Sequence, residues 1–265
     1  MQQADRPSAF DEVPEIYDRA RPEYPSALFD DFFTYLRGER DVEHPAIVEV
    51  GPGTGQATRA LLDRGARVTA VELGPSLAAF LARKYEANPD LEVVTGAFEQ
   101  LPVEEGRWDA VLSATAYHWV NPVARMQRPN ALLVPGGVLA VIDTNQVKSD
   151  VDRNFFFRSH PIYLKYRPGE QLHEGLPVDL VPPIYTQMQE SGLFEDLQLW
   201  RYRWDQRYTA DAYADLVLSY SNTQDMDPES RAGLVADLRA MVAAEPDGIV
   251  TRPLVITLAA GRRRG

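Results

Sequence analysis

Short apolar runs alternate with segments of helical period along the first half of the chain. Residues 46–50 form one such run, and residues 56–64 carry three apolar side chains at helical spacing. The alternation continues over residues 44–144, which predicts five parallel strands with intervening helices. We therefore expect an α/β fold whose parallel sheet is covered by helices on both faces.

The last quarter of the chain predicts two more strands around a helix. Residues 197–208 alternate between two sets of side chains, one of them rich in aromatics, as in a strand with one side buried. Asp227 and Pro228 are typical of a helix start, and an apolar stripe follows them before a last strand at residues 254–258. Antiparallel pairing of strands six and seven completes a doubly wound, Rossmann-like sheet of seven strands.

Three glycines follow the first predicted strand. Gly51, Gly53 and Gly55 allow a sharp turn and let a ligand approach where a side chain would collide. A nucleotide site in an open α/β sheet lies at this place, the carboxyl end of the first strand. The spacing is G-x-G-x-G, with Gln56 where the dinucleotide fingerprint continues towards its third glycine. An ordinary glycine-rich turn between a strand and a helix is the alternative.

An acid ends the second predicted strand. Glu72 follows Gly51 by 21 residues, and an acid at this offset can accept hydrogen bonds from both hydroxyls of a ribose. A glutamate placed at the surface by chance is the alternative. The glycine motif and the acid together favour a site for an adenosyl group.

With these motifs in place, the chain resembles the class I S-adenosylmethionine-dependent methyltransferases. Within them it is similar to the trans-aconitate and ubiquinone-type small-molecule branch, over nearly its whole length. Residues 17–25 match the lead-in that closes over the cofactor, 96–99 the segment after strand three, 117–119 an aromatic segment and 133–139 the entry to strand five. The resemblance implies S-adenosylmethionine as cofactor and methyl transfer to a small molecule.

The resemblance also implies a division into three parts. Residues 1–43 are the lead-in and lid helices, residues 44–144 and 184–265 the S-adenosylmethionine-binding methyltransferase domain, and residues 145–183 a substrate-covering insertion after strand five. The insertion contains an aromatic run and five prolines. A long stretch without a clear period inside a compact domain is usually functional. A helical excursion that packs on the sheet is the alternative.

The resemblance assigns the cofactor to specific residues. Glu49 and Gly51 face the methionine end, Glu72 the ribose, and Phe98 offers its N–H to adenine while its ring or a neighbour's packs on the base. The aspartate with which relatives accept from the adenine amino group is replaced by Ala97. The full predicted cofactor set is Tyr17, Arg21, Glu49, Gly51, Gly53, Gly55, Glu72, Leu73, Ala97, Phe98 and Ala114.

Methyl transfer from a sulfonium is a displacement that needs alignment, and it needs a base only when the acceptor is protonated. His118 is the candidate base because histidine titrates near neutral pH. A histidine that merely packs beside Trp119 is the alternative to a catalytic base. For Arg21, which is in the predicted cofactor set, a surface salt bridge is the alternative. The predicted substrate set is Tyr24, His118, Trp119, Phe156, Arg158 and His160.

The amino-acid composition limits the kinds of molecule and ion that the chain is expected to bind. The 265 residues carry a formal net charge of −12, which disfavours nucleic acid as partner. The chain has no cysteine, no histidine spacing typical of a metal site, no long apolar run and no secretory leader pattern. We expect a cytoplasmic enzyme without a metal or a membrane span, with its oligomeric state, homodimer included, left open. A non-catalytic protein that binds the cofactor or its demethylated product, and an enzyme that uses the sulfonium only electrostatically, are the alternative functions.

Overall fold

A computed structural model describes residues 18–20, 23–38, 42–101, 106–172 and 174–265. Its strands are β1 (Ala46–Val50), β2 (Arg67–Glu72), β3 (Leu91–Thr95), β4 (Trp108–Ala114), β5 (Leu133–Gln146), β6 (Phe194–Thr209) and β7 (Ile249–Arg263). They form one sheet in the order β3-β2-β1-β4-β5-β7-β6. The first five strands pair in parallel, and β6 and β7 are antiparallel. The predicted seven-stranded fold is confirmed, although β6 and β7 are longer than predicted.

The order of the strands fixes where a ligand can bind. From β1 the chain continues outward to β2 and β3, and it then returns to place β4 on the other side of β1. In such sheets ligands bind beyond the carboxyl ends of the strands, at the point where the direction of winding reverses. That point lies between β1 and β4, where Val50 pairs with Ser113. The loop that follows Val50 is the glycine loop predicted from the sequence.

The helices are α1 (Ser26–Arg37), α2 (Gln56–Leu62), α3 (Pro75–Lys84), α4 (Ala124–Leu132), α5 (Phe155–Tyr166), α6 (Pro183–Ser191), α7 (Ala210–Leu218), α8 (Ser221–Gln224) and α9 (Pro228–Ala243). By its contacts the chain divides into two compact units. The sheet unit comprises residues 23–144, 181–202 and 256–265, and the helical unit comprises residues 145–180 and 203–255 with the described residues 18–20. The lid role of residues 145–183 and the other predicted domain boundaries stay predictions.

Both faces of the central strands in the sheet unit are buried. Val111 and Leu112 are neighbours on β4, so their side chains point to opposite faces, and neither is accessible to solvent. Leu139 and Ala140 repeat this arrangement on β5. Strands buried on both faces are typical of parallel sheets covered by helices on each side, which is why these strands appear in the sequence as continuous apolar runs.

The helical unit has its own core, in which α5 and α7 each pack against α9. The predicted start of α9 is confirmed, since Asp227 caps the helix by accepting from the Ser230 N–H at 2.9 Å. A Cβ at Gly233 would lie 2.4 Å from the Tyr166 ring. Glycine at this position therefore lets α5 approach the backbone of α9 closely.

Candidate functional site

The glycine loop has a backbone that side chains would disrupt. Gly51, Gly53 and Gly55 have φ values of +65°, +58° and +94°, in the left-handed region that favours glycine. A Cβ at Gly51 would lie 2.5 Å from the Cβ of Ala116, and one at Gly55 would lie 2.7 Å from Leu81. The loop after β1 thus touches the loop after β4, as a cradle for a ligand at the winding reversal requires.

Glu72 holds this loop. One carboxylate oxygen accepts from the Gly53 N–H at 3.0 Å, and the other accepts from the Gly74 N–H at 2.9 Å. The residue is only 7% exposed. A carboxylate offers about four acceptor positions, so its bonds to these two amides are compatible with further bonds to ligand hydroxyls. The acid predicted from the spacing is therefore next to the glycine loop.

Glu49 is a second buried acid of the site, on β1. Its side chain is 1% exposed and accepts from the Thr58 hydroxyl of α2 at 2.6 Å. Burial, and to a smaller extent the charge of Glu72, raise the pKa of Glu49 to about 7, although the bond from Thr58 opposes the shift. The carboxyl of Glu49 therefore titrates near neutral pH, and a charge placed beside it would shift its pKa.

The residues predicted to bind adenine differ in how much of their surface is exposed to solvent. Leu73, directly after Glu72, is 47% exposed, whereas Phe98 is 3% exposed and packs in the core of the sheet unit. Ala97 precedes the short turn Phe98–Gln100 and supplies no side-chain acceptor. The backbone of Gly96 is joined to β2 by a bond from its N–H to the Glu72 carbonyl, 2.9 Å long. Exposed apolar surface for a base is therefore available on Leu73, and the Phe98 ring is used by the core.

The end of β4 has an unusual backbone conformation. After the partly buried Ala114, Thr115 has a φ of +60°, which is rare for a β-branched residue. Its N–H donates to the Ile142 carbonyl at 2.7 Å, and its hydroxyl shares a 2.6 Å hydrogen bond with the Tyr24 hydroxyl. Such conformations persist where surrounding contacts enforce them, often at functional sites. Tyr24, a predicted substrate residue, is thereby placed at the carboxyl edge of the sheet.

His118 lies in the turn Tyr117–Trp119 after β4, and its ring centroid is 4.9 Å from that of Trp119. The turn is held by Arg125, which donates to the His118 carbonyl at 2.5 Å and to the Val120 carbonyl at 2.8 Å. Partial desolvation and the charge of Arg125 lower the pKa of His118 below its ordinary value of 6.5. His118 is therefore neutral at pH 7 and able to accept a proton.

Asp143 is a candidate that sequence reasoning missed. It follows Ile142 on β5, whose partner on β4 is Ala114, so it lies at the same edge as Thr115. Burial raises the pKa of its carboxyl, and among the described residues no side chain or amide bonds to it. An acid directly after an apolar strand was a usable signal in the sequence.

The remaining predicted residues lie elsewhere or outside the described chain. Tyr17 and Arg21 are not among the described residues. Phe156, Arg158 and His160 lie on α5 of the helical unit, where Arg158 forms an ion pair with Glu245 at 2.6 Å. Their roles towards cofactor and substrate, like those of the sheet-unit residues, stay predictions. In the described part of the chain no cluster of three metal-ligating side chains occurs, and no helix is long and apolar enough to cross a membrane.

A glycine loop at the winding reversal, bonded to the acid that ends β2, is the arrangement that Rossmann-like folds use to bind nucleotides. Residues 48–141 match the methyltransferase-domain family. An uncharacterized methyltransferase of Mycobacterium tuberculosis is 26% identical over 230 residues, which is 87% of this chain and 84% of that protein.

Two solved structures share the fold. The first is a protein named as a type II methyltransferase from Anaeromyxobacter dehalogenans, with TM-score 0.60, 21% identity and coverage of 92% and 96% of the two chains. The second is phosphoethanolamine N-methyltransferase 2 of Haemonchus contortus in complex with S-adenosyl-L-methionine, with TM-score 0.50, 14% identity and coverage of 89% and 53%. The chain carries a methyltransferase domain and has the fold of the class I S-adenosylmethionine-dependent methyltransferases. The predicted trans-aconitate and ubiquinone-type branch stays a prediction.

Proposed function

We propose that this methyltransferase binds S-adenosylmethionine at the glycine loop and transfers its methyl group to a small-molecule acceptor. The observation that carries the proposal is the Glu72 carboxylate, which bonds to the amide of Gly53 within the loop. This bond supports the proposal because it keeps a carboxylate that can accept ribose hydroxyls beside a glycine of the loop. The net charge of −12 disfavours a polyanionic acceptor such as nucleic acid.

The residues present fit this cofactor. A Cβ at Gly51 or Gly55 would collide with Ala116 or Leu81, so glycine allows the tight turn of the loop. Glu72 can accept from hydroxyl donors, and Leu73 offers exposed apolar surface to an adenine base. When bound, the sulfonium supplies an activated methyl group, so the contribution of the protein is alignment of the acceptor. His118, neutral at pH 7, accepts the proton of an acceptor that has one to lose, and Tyr24 and Trp119 hold that acceptor.

Calorimetric titration tests the proposal. We expect micromolar binding of S-adenosylmethionine and S-adenosylhomocysteine and none of NAD, and formation of S-adenosylhomocysteine when an acceptor is supplied from a panel of small molecules. Absence of binding by both sulfur ligands would leave the glycine loop as scaffolding. Binding without turnover across the panel would support the non-catalytic alternative instead.

We expect cofactor binding to release protons through Glu49. If the ammonium group of the methionine moiety lies beside this carboxyl, its charge lowers the pKa of Glu49 from about 7. At pH 7 up to about half a proton is then released per ligand, and affinity rises with pH up to about 7 because the free protein holds the proton lost on binding.

Titrations at pH 7 in two buffers of different ionisation enthalpy measure this release. Glu49→Gln should abolish the difference between the buffers, and Glu92→Gln, a change at an exposed position of β3, should retain it. Equal heats in both buffers for the unmodified protein would show that no cation of the ligand approaches Glu49.

A further inference from the structure

The helical unit contains a guanidinium group that has no carboxylate partner among the described residues. Arg252 on β7 donates from one terminal nitrogen to the Tyr220 hydroxyl at 2.6 Å and from the other to the Gln146 side-chain oxygen at 3.2 Å. Its Nε–H is buried and has no acceptor in the part of the chain that the structure describes. The guanidinium carbon lies 5.9 Å from the centroid of the Phe156 ring. One donor of this group is thus available for a further acceptor.

The charge of Arg252 is not compensated. Among the described residues no carboxylate lies within 4.0 Å of it, whereas several other arginines of the unit pair with acids, among them Arg158 with Glu245, Arg167 with Glu170 and Arg239 with Asp211. Tyr163 and Tyr213 surround the same place, and burial raises the pKa of both. They are therefore neutral phenols at pH 7 and contribute no negative charge.

A buried charge without a partner is unfavourable, by several kcal/mol in typical cases. Neutral hydrogen-bond acceptors compensate it only in part. The free energy of this arrangement would improve on binding of an anion, which would accept from Nε and pair with the positive charge. A protein that needed only packing at this position would be more stable with an apolar side chain.

Part of the surface of the cluster's residues is exposed to solvent. Arg252, Gln146, Phe156, Tyr163 and Tyr220 are all only partly buried, although Nε itself is covered. The polar atoms are therefore set among aromatic rings that retain some exposed surface. Such a combination suits a ligand with an anionic group and an apolar body.

We propose that Arg252 and the tyrosines around it form a binding site for the carboxylate of a small organic acid. A carboxylate matches the planar fork of a guanidinium, and its single negative charge balances the single positive charge of the cluster. A phosphate would bring more charge than the cluster can neutralise. The phenol hydroxyls supply additional donors, and the Phe156 ring contacts the carbon body of the acid. The carboxylate site does not depend on the proposed methyl transfer. If the acid is the methyl acceptor, the site also identifies the class of acceptor for that reaction.

Benzoate and benzamide are a matched pair of probes, because they differ in charge and not in shape. In spectra of the arginine Nε–H groups, the signal that disappears in Arg252→Lys should shift saturably with benzoate at constant ionic strength. Benzamide and inorganic phosphate should leave it unchanged. This measurement uses the unmodified protein and no cofactor, so its outcome is independent of whether S-adenosylmethionine binds.

Variants give the second measurement. Arg252→Lys keeps the charge and loses the planar fork, so benzoate affinity should fall by about tenfold or more. Arg239→Lys, in an exposed pair with Asp211, is the matched control and should bind benzoate normally. A benzoate affinity that is equal in both variants, or a shift of the Arg252 signal by benzamide or phosphate as large as by benzoate, would overturn the proposal.

Radiolabelled S-adenosylmethionine distinguishes an acid that is the methyl acceptor from an acid that binds without reacting. A panel of aromatic and aliphatic acids that displace benzoate is incubated with the labelled cofactor. Label transferred to an acid, and lost in Arg252→Lys, identifies the carboxylate as that of the acceptor. Displacement of benzoate without transfer to any acid assigns the site to a ligand that does not react.

Discussion

Replacement of Glu72 by alanine should weaken S-adenosylmethionine binding by about 1–3 kcal/mol, or roughly 5- to 150-fold, and towards the upper end of that range. The loss of charged hydrogen bonds to the ribose accounts for the lower end. The structure adds a second cause, because the same carboxylate fixes the amides of Gly53 and Gly74. Without it, the glycine loop must be ordered by the ligand itself, and calorimetry measures the combined loss.

Two variants identify the cause of that loss. Glu72→Gln keeps an acceptor oxygen for one amide and places a donor group against the other, so its affinity should fall between those of the unmodified protein and Glu72→Ala. Glu92→Ala removes an acid on the neighbouring strand β3 that is exposed to solvent, and it should bind normally. Unchanged affinity in Glu72→Ala would remove the ribose assignment.

The sequence was sufficient to predict the sheet and the glycine loop because both depend on local patterns. A parallel strand buried on both faces is a continuous apolar run, and Gly51 and Gly55 have backbone conformations that other residues rarely adopt. The offset between Gly51 and Glu72 is equally local, since one helix and two turns separate them. The contact between the glycine loop and Glu72 in the structure follows from the parallel pairing of β1 and β2.

The candidates that the sequence did not reveal depend on contacts between distant segments. Asp143 and Arg252 are charged residues in largely apolar strands, and the sequence around them does not show which distant residues surround them. The environment of Arg252 combines residues from β5, α5, the segment after α7 and β7. Phe98 shows the opposite case, because its position fits a motif while its ring is used by the core. Burial of a ring cannot be read from a motif.

Replacement of His118 by alanine should lower turnover about 100-fold or more while S-adenosylmethionine affinity stays unchanged, for an acceptor whose reacting group carries a proton. His118 is neutral at pH 7 because desolvation and Arg125 lower its pKa. In the unmodified protein, activity should therefore rise with pH, with a midpoint below pH 6.5, as the imidazole loses its proton. In His118→Ala that acidic limb should disappear from the pH–rate profile of single-turnover measurements.

Asp143→Asn distinguishes His118 from the other titratable group at this edge of the sheet. Asparagine keeps the size of the side chain and removes its capacity to accept a proton, so a residue that only shapes the acceptor pocket should lose less than about tenfold in turnover and retain the acidic limb. If turnover falls in Asp143→Asn as predicted for His118→Ala, and His118→Ala is near normal across pH, the base is Asp143. In that case the raised pKa of its buried carboxyl makes it a stronger base than an ordinary aspartate, and His118 acts by packing against Trp119.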